Sequence, residues 1–521
     1  MKMLLLPPLA VLLLLGLQFT LSLGLGGRNF WLIKKQVLQS REQRFQKHLL
    51  ENWKKLAGGS KDRWTEPRER LFPQPLDHFN RKNNGTFKQR YWVNTKLWEQ
   101  RQGPVFLYIG GEGSLSSFSV LAGEHVDLAQ RYGALLVSLE HRFYGASINP
   151  DGLTNQNIQF LSSQQALADL AAFHEFINLE YNLTRTNRWI CFGGSYPGSL
   201  SAWFRLKFPH LVFAAVASSA PVRAQLDFTG YNKVVSESLS NPVVGGSLKC
   251  RAAVAQAFSQ LDRILERGNA SWLEADFKSC QKLSGSDDYA ELASNLADVV
   301  MGTVQYNKEA LADIATLCQV MTNRSLGSTY QRLTVLNKNF MDGMGLKCID
   351  NSHQNALERL RSTKVEPFGL GDRQWYYQTC TEFGYYQTCE DESCPLSRWV
   401  TLKSQVDVCA QVFGVDPGKV QSAVNFTNDY YGADHPASSR IIFVNGDIDP
   451  WHALSVLKNL SCSEVALVIN GTAHCADMGI PEKGDPPALQ QARQKISDQI
   501  GAWLARDRHG NCGPESLSRG E

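Results

Sequence analysis

The segment WICFGGSYPGSL (residues 189–200) carries the strongest fold signal in this chain. An apolar run typical of a buried strand ends in two glycines, and Ser195 follows them directly. Pro197 comes two residues later, and a segment with helical periodicity extends beyond it. Proline suits the first turn of a helix, because the N–H that it lacks would be unpaired there. The pattern therefore predicts a strand, a sharp turn at a hydroxyl group and a helix.

A serine between a buried strand and a helix is typical of the nucleophile elbow of α/β-hydrolases. That elbow usually reads Gly-X-Ser-X-Gly, whereas here Pro197 stands second after Ser195 and Gly198 comes one residue later. Proline also disfavours helical dihedral angles at Tyr196. The backbone N–H that an elbow offers to an oxyanion belongs to Tyr196, so this donor is retained. Ser195 is therefore our candidate nucleophile, and the alternative is a simple turn residue.

Segments on both sides of the elbow alternate between buried-strand and helical patterns. Near-continuous apolar strands that alternate with helices predict a parallel sheet covered on both faces. A closing helix is expected over residues 485–506. The strand patterns cover residues 104–113, 134–145, 189–194, 212–221, 440–447 and 464–471.

This alternation stops near residue 222 and returns near residue 436. Eight of the twelve cysteines lie in the interrupted part, without the paired spacing of a zinc site, so disulfides are favoured. The division predicts a signal peptide (1–25), a basic N-terminal extension or propeptide (26–65), an α/β-hydrolase domain in two parts (66–222 and 436–506), a helical cap inserted between them (223–435) and a C-terminal tail (507–521).

The N-terminus has the pattern of a secretory signal peptide. Lys2 precedes a leucine-rich run over residues 4–23, and small residues follow it. A membrane anchor is the alternative, but Pro7 and Pro8 interrupt the run and no second apolar span follows. Seven Asn-X-Ser/Thr sequons in a chain that enters the secretory pathway predict a glycoprotein. They lie at Asn84, Asn182, Asn269, Asn323, Asn425, Asn459 and Asn470.

Residues 28–63 are basic and follow helical periodicity, with apolar side chains near one stripe. The segment predicts either a propeptide or a surface helix that binds a partner. The alternative is an N-terminal extension docked on the body of the protein. Over the whole chain the net charge is only +3, so nothing indicates a nucleic acid partner. The sequence leaves the oligomeric state open, including a homodimer.

A serine nucleophile needs a base within hydrogen-bond reach and an acid that orients the base. In α/β-hydrolases the acid and then the histidine follow the serine, each after a later strand. Asp447 and Asp449 come at the end of one C-terminal strand pattern, and His474 follows the next. We prefer Asp449 to Asp447, because the Pro-Trp pair behind it would fix the turn. His452 is the nearest rival to His474, and we interpret it as a surface or pocket residue.

The second oxyanion donor is expected in the loop after an earlier strand. GGEG (residues 110–113) is the candidate loop, with Gly111 or Glu112 supplying the N–H. The alternative is a plain glycine turn. The side chain of Glu112 raises a further hypothesis, in which a carboxylate beside the site holds the amino terminus of a substrate. A mechanism built on these residues needs no metal and no organic cofactor.

Several motifs together resemble the prolyl carboxypeptidase and dipeptidyl peptidase II family of serine peptidases. They are LDHF (76–79), LEHRFYG (139–145), GGSYPG (193–198), WYYQTCTEFGYYQT (375–388), NGDIDPW (445–451) and AHCADM (473–478). The resemblance implies an α/β-hydrolase fold with a large helical cap, with Ser195 as nucleophile, Asp449 as orienting acid and His474 as base. It also implies short or terminal peptide segments as substrates, and endosomes, lysosomes or secretory vesicles as the location.

Two departures limit what the resemblance implies. The family elbow usually has a small residue where Pro197 stands. Prolyl carboxypeptidase also has a second histidine directly after the base, whereas this chain has Cys475. Carboxypeptidase specificity is therefore not assumed. Trp451 and the aromatic segment that begins at Trp375 are candidates for a pocket wall, with core packing as the alternative.

Two other functions compete with that of a peptidase. An esterase or lipase would use the same three residues, but it predicts a broad apolar entrance that the sequence does not support. A catalytically impaired protein that binds peptides or a receptor is favoured only by Pro197. The sequence therefore predicts a serine peptidase that works through an acyl-enzyme.

Overall fold

The computed structural model describes residues 28–56, 66–100, 102–268, 271–309, 311–366, 369 and 371–505. The predicted signal peptide (1–25), the predicted tail (507–521) and the sequon at Asn269 lie outside these residues. The strands are β1 (Arg70–Pro75), β2 (Thr86–Asn94), β3 (Val105–Ile109), β4 (Leu135–Leu139), β5 (Trp189–Gly194), β6 (Ala214–Ser218), β7 (Gln225–Asp227), β8 (Gly384–Tyr386), β9 (Ile441–Gly446) and β10 (Glu464–Ile469).

The α-helices alternate with strands at both ends of the chain and fill its middle. They are α1 (Arg28–Leu56), α2 (Glu124–Tyr132), α3 (Asn155–Ile158), α4 (Ser163–Glu180), α5 (Tyr196–Lys207), α6 (Thr229–Ser240), α7 (Leu248–Glu266), α8 (Ser271–Asp276), α9 (Ser286–Gln305), α10 (Ile314–Thr322), α11 (Thr329–Met344), α12 (His353–Arg361), α13 (Asp372–Gln378), α14 (Leu402–Val408), α15 (Pro417–Tyr431) and α16 (Pro487–Ala505).

Eight strands form one sheet in the order β1-β2-β4-β3-β5-β6-β9-β10. The strands from β4 to β10 in that order are parallel to their neighbours. β2 is antiparallel to both β1 and β4. The six strands predicted from the sequence form the parallel part of the sheet, and the antiparallel strands β1 and β2 at this edge are not among them. The segment between β1 and β2 is too short for the crossover that parallel strands require, so the two strands pair antiparallel.

Alternate side chains of the strands face two helical layers. In β3, Val105 and Leu107 belong to a core that also contains residues of α4, α5 and the helices after β6. Phe106 between them belongs to a second core with residues of α2 and α16. Both faces of the sheet are thus covered, which is why its strands are apolar in consecutive positions. The α/β-hydrolase fold predicted from the sequence is confirmed.

The chain between β6 and β9 contains α6 to α15 and the small sheet of β7 and β8, and we call these elements the cap. Each of its eight cysteines is paired, and two of the disulfides join residues 68 positions apart. Such a crosslink typically stabilises a fold by about 2–4 kcal/mol. The disulfide-stapled cap is confirmed, whereas the predicted domain boundaries stay predictions. The pairs are Cys250–Cys318, Cys280–Cys348, Cys380–Cys409 and Cys389–Cys394.

The basic segment near the N-terminus forms α1, which docks on the rest of the protein through its apolar stripe. Ile33 and Val37 are buried in the main core. Ile33 lies against Gly302 of α9, where an added Cβ would be 2.5 Å from its Cδ1. The ring of Phe45 lies 4.0 Å, centroid to centroid, from that of Phe118 in the sheet domain. α1 therefore contacts both the cap and the sheet domain, and its assignment as a propeptide stays a prediction.

No helix among the described residues is both long and apolar enough to cross a membrane. The sequon asparagines within the described residues are all exposed, as attachment of a bulky glycan requires. Glycosylation at these positions stays a prediction. They are Asn84, Asn182, Asn323, Asn425, Asn459 and Asn470.

Candidate active site

The turn after β5 places Ser195 in a backbone conformation that few residues adopt. β5 ends at Gly194 and α5 begins at Tyr196, so Ser195 alone joins strand to helix. Its φ of 64° and ψ of −134° lie outside the main allowed regions. Such a conformation costs about 1–3 kcal/mol. A hydrogen bond from the Ser195 N–H to the carbonyl of Ser218 (2.9 Å) holds it in place. This is the sharp turn that the sequence predicts.

The GGEG loop after β3 packs directly against this turn. A Cβ atom on Gly111 would lie 2.1 Å from Cγ of Pro197, so a larger residue would displace one side or the other. Pro197 lies in the first turn of α5, where it needs no N–H partner. A glycine on the facing loop thus accommodates the departure from the usual elbow pattern. The contact brings Gly111 and Glu112 next to the Ser195 turn, as the oxyanion hypothesis requires.

The two strands beyond the cap bring an aspartate and a histidine into contact. Asp449 follows β9 and His474 follows β10, its parallel neighbour. His474 Nδ1 lies 2.9 Å from Oδ2 of Asp449, and their exposed fractions are only 6% and 0%. Asp447 instead accepts a hydrogen bond from the N–H of Gly471 (2.7 Å). The structure therefore pairs His474 with Asp449 and not with the rival aspartate.

Burial and the neighbouring carboxylate act in opposite directions on the pKa of His474. Burial lowers this pKa because the protonated ring loses hydration, whereas the charge of Asp449 raises it. The net pKa of His474 lies well above its ordinary value. Asp449 Oδ1 accepts a hydrogen bond from the N–H of Trp451 (3.1 Å), which orients the carboxylate. Nδ1 of the ring is thus engaged, and Nε2 is the nitrogen available for proton exchange.

Contacts at the end of β6 join the serine turn to the histidine turn. The Ser195 turn is bonded to the last residue of β6, and the N–H of Cys475 donates to Oγ of Ser219 (2.9 Å). A Cβ atom on Gly194 would lie 2.9 Å from Sγ of Cys475. Within the described part of the chain the Ser195 hydroxyl makes no hydrogen bond to His474. The two turns are direct neighbours.

Gln305, the last residue of α9, links the cap to the pair of Asp449 and His474. This residue is not predicted from the sequence. Its main-chain oxygen accepts a hydrogen bond from the N–H of His474 (3.1 Å). Its Oε1 accepts hydrogen bonds from Nε1 of Trp451 (2.8 Å) and from the hydroxyl of Tyr231 (2.7 Å). The cap thereby helps to position His474. No motif marks this glutamine, because its partners are far away in the chain.

Tyr196 is held by a second buried polar network. Its hydroxyl lies 3.1 Å from Nε2 of Gln378 and 3.0 Å from Nε2 of His141. Gln378 also donates to Glu382 (3.3 Å), and burial raises the pKa of that carboxyl to about 7. Gln378 and Glu382 belong to the aromatic segment 375–388. The resemblance of this segment to a family motif is the one sequence signal that points to these two residues. The segment therefore supports the residue that carries a candidate oxyanion donor.

The two tryptophans predicted as pocket walls lie in one aromatic cluster. The ring of Trp451 meets that of Tyr385 edge-on, with centroids 5.3 Å apart. Trp375 stacks on the same tyrosine at 6.4 Å and lies 5.7 Å from Tyr196. Trp451 is buried and Trp375 is partly exposed. The cluster adjoins the elbow, and both pocket assignments stay predictions.

α/β-Hydrolases are defined by functional side chains at the ends of three strands, with the serine in a strained strand-to-helix turn. This chain has that arrangement and is a protein of that class. Residues 74–496 match the model of the Serine carboxypeptidase S28 family. The chain therefore belongs to this family and is a serine-type peptidase. The family assignment made from the motifs is confirmed.

Known proteins resemble the chain over most of its length. It is 46% identical to the thymus-specific serine protease of Mus musculus over 446 residues, which cover 84% of this chain and 88% of the relative. It is 28% identical to the lysosomal Pro-X carboxypeptidase of Bos taurus over 456 residues, with coverage of 84% and 88%. A solved structure of proline iminopeptidase from Mycobacterium smegmatis aligns with a TM-score of 0.36 at 12% identity, covering 84% of this chain and 99% of that chain.

Gly111→Ala is expected to lower kcat/KM for peptide hydrolysis by about 10²–10³-fold, because displacement of the loop would remove one candidate oxyanion donor. The new methyl group would lie 2.1 Å from Cγ and 2.5 Å from Cδ of Pro197. Pro197→Ala removes both atoms, so the double variant should recover part of the loss. Steady-state kinetics of the two single variants and the double variant measure this coupling. Strictly additive losses would contradict a direct contact as the cause.

Proposed function

We propose that Ser195, His474 and Asp449 are the catalytic triad of this peptidase. The buried contact between His474 and Asp449 carries the proposal, because a desolvated carboxylate bonded to Nδ1 fixes the tautomer that a general base needs. The strained turn at Ser195, next to the histidine turn, supports the assignment of the nucleophile. Ser195 is also partly exposed, as a residue that meets substrate must be.

In the proposed reaction, His474 Nε2 removes the proton of the Ser195 hydroxyl while its oxygen attacks the peptide carbonyl carbon. The N–H groups of Tyr196 and of Gly111 or Glu112 donate hydrogen bonds to the oxyanion that forms. The protonated His474 then donates its proton to the leaving amine, which departs and leaves the acyl-enzyme. Water gives a proton to the same histidine and attacks the carbonyl carbon of the ester. The histidine then returns that proton to the Ser195 oxygen as the bond between this oxygen and the acyl carbon breaks, and the acid product leaves.

We propose short peptides or the ends of longer peptides as substrates. The cap supports this choice, because its Trp375 contacts Tyr196 of the elbow and its α9 contacts His474, so cap residues adjoin the proposed site. An esterase is the second candidate, since it would need the same three side chains. A catalytically impaired binding protein loses its support, because Pro197 fits the first turn of α5 and faces a glycine.

We propose that the protein acts in endosomes, lysosomes or secretory vesicles, or after secretion. The four disulfides of the cap support an oxidising compartment. The name of the lysosomal Pro-X carboxypeptidase supports the lysosomal part of the proposal. The name of the thymus-specific serine protease supports peptide processing in the thymus as its setting.

The test is to label the mature protein with a fluorophosphonate and to profile its cleavage of a peptide library by mass spectrometry. We expect labelling, together with cleavage that is confined to short peptides or to peptide ends. The same preparation is assayed on simple lipid esters, which an esterase would hydrolyse faster than any peptide. A protein that is neither labelled nor active on the library would contradict the proposed function.

A further inference from the structure

α1 lies across the part of the cap that reaches His474. Its Phe30 ring lies 5.8 Å from the ring of Tyr306, centroid to centroid, and Nε of its Arg41 lies 2.7 Å from Oε2 of Glu309. Tyr306 in turn meets the ring of His474 edge-on at 6.1 Å. One aromatic ring therefore separates this helix from the proposed base.

A lysine of the same helix contacts the loop proposed to bind the oxyanion. Lys34 Nζ lies 3.3 Å from Oε1 and 3.3 Å from the main-chain oxygen of Glu112. Each of the two side chains is only 15% exposed, so water screens their attraction weakly. The ammonium group also lies 4.8 Å from the centroid of the Trp31 ring, within cation–π range. Glu112 thus holds a partly desolvated cation one residue beyond Gly111.

The negative charge of Glu112 also acts on Tyr306, whose ring adjoins that of His474. Burial raises the pKa of Tyr306, the positive charge of Arg41 lowers it, and the negative charge of Glu112 raises it further. The carboxylate therefore acts on the ring that touches His474. The contact between Gly111 and Pro197 holds the loop that contains Glu112 beside the Ser195 turn.

We propose that Glu112 binds the free α-amino group of a peptide substrate, and that Lys34 occupies this subsite when no substrate is bound. A lysine ammonium and a peptide α-ammonium are the same kind of group, with three N–H donors and one positive charge. Glu112 offers that group a carboxylate and a main-chain oxygen. The inference rests on the proposed function and narrows its substrates to peptides with an unblocked amino terminus near the cleaved bond.

Lys34 and the substrate then compete for one carboxylate. The lysine is tethered to the protein, so its effective concentration at the subsite is high. A peptide must displace it, and α1 consequently weakens substrate binding without changing the chemistry at Ser195. Removing the Lys34 charge should therefore favour binding of peptides with free amino termini.

The first experiment compares a short peptide with its N-acetylated form on the full mature protein. Acetylation removes the positive charge and leaves the scissile bond intact. We expect the unblocked peptide to have the higher kcat/KM, and Glu112→Gln to reduce this preference by about 10–100-fold, as the loss of a charge-assisted hydrogen bond implies. Glu309→Gln is the matched control, because it also removes a carboxylate that holds α1, and it should keep the preference.

A preference that Glu112→Gln leaves intact, in a protein that hydrolyses both peptides, would overturn the amino-terminal subsite alone. An unmodified protein that hydrolyses neither peptide and resists the fluorophosphonate would overturn the proposed function. These two failures are therefore distinguishable.

The second experiment leaves Glu112 in place and tests the competition. Lys34→Met is expected to lower KM for the unblocked peptide about fivefold more than KM for the acetylated peptide. Lys338→Met breaks an exposed ion pair with Asp342 in α11 and should leave KM for both peptides unaffected. An unchanged or higher KM in Lys34→Met would overturn the occupation of the subsite by this lysine.

Discussion

Ser195→Ala is expected to lower kcat/KM for peptide hydrolysis by about 10⁴–10⁶-fold, because the covalent route through the acyl-enzyme is lost. Labelling by a fluorophosphonate should disappear completely, since this reagent reacts with the serine oxygen. Some turnover above the uncatalysed rate should remain, because substrate binding and the oxyanion donors are unaffected. Long incubations with mass-spectrometric detection of the product measure the residual rate.

Ser199→Ala is the matched control for this loss. Ser199 lies one helical turn beyond Ser195 in α5, and its buried hydroxyl has no hydrogen-bond partner among the described residues. Its removal should leave labelling, kinetics and thermal stability close to those of the unmodified protein. Near-normal peptide cleavage by a correctly folded Ser195→Ala variant would show that another residue is the nucleophile.

Asp449→Asn should reduce kcat by about 10⁴-fold, the loss seen when the orienting aspartate of a serine triad becomes an amide. The amide can still accept the hydrogen bond from the N–H of Trp451, so the local turn should be retained. It no longer stabilises the protonated ring of His474, and its NH₂ group favours the wrong tautomer. Single-turnover and steady-state rates of the variant measure the effect.

The same variant has an expected signature in the pH profile. The charge of Asp449 raises the pKa of His474 above its ordinary value, and only the neutral ring can act as base. In the unmodified protein kcat/KM should therefore fall as the pH decreases through this raised pKa. In Asp449→Asn the raising charge is absent, so the acid limb should move to lower pH while the maximal rate stays low. An acid limb that does not move would contradict the pairing.

Asp447→Asn is the control for the aspartate, since the two residues lie at the end of the same strand. Asp447 accepts a hydrogen bond from the N–H of Gly471, whereas His474 is hydrogen-bonded to Asp449. We expect its replacement to alter stability slightly and to leave both the rate and the pH profile of the enzyme unchanged. A larger loss of activity in Asp447→Asn than in Asp449→Asn would reverse the assignment.

The positions of Ser195, Asp449 and His474 at strand ends could be predicted because strand endings are local features of the sequence. An apolar run followed by glycine or aspartate defines the end of a strand, and parallel strands end at one edge of the sheet. The preference for Asp449 over Asp447 also rested on local turn chemistry, and the contact with His474 agrees with it.

Other parts of the site depend on contacts between residues that are distant in the chain. Nothing in the local sequence of Gln305 indicates that its carbonyl binds the N–H of His474. The basic composition of α1 likewise does not show that Lys34 binds Glu112. Pro197 departs from the usual elbow pattern, and the local sequence does not show that a glycine on another loop accommodates it. These features arise from packing rather than from local propensity.

The hydrogen bond between Gln305 and His474 limits how far the two halves of this enzyme can be treated as exchangeable modules. In a chimera that carries the cap of a relative, the N–H of His474 would lose its hydrogen bond to the carbonyl at the end of α9 unless this helix ends in the same place. Transplanting substrate preference between family members therefore requires that the terminal turn of this helix be conserved, whatever else is redesigned around it.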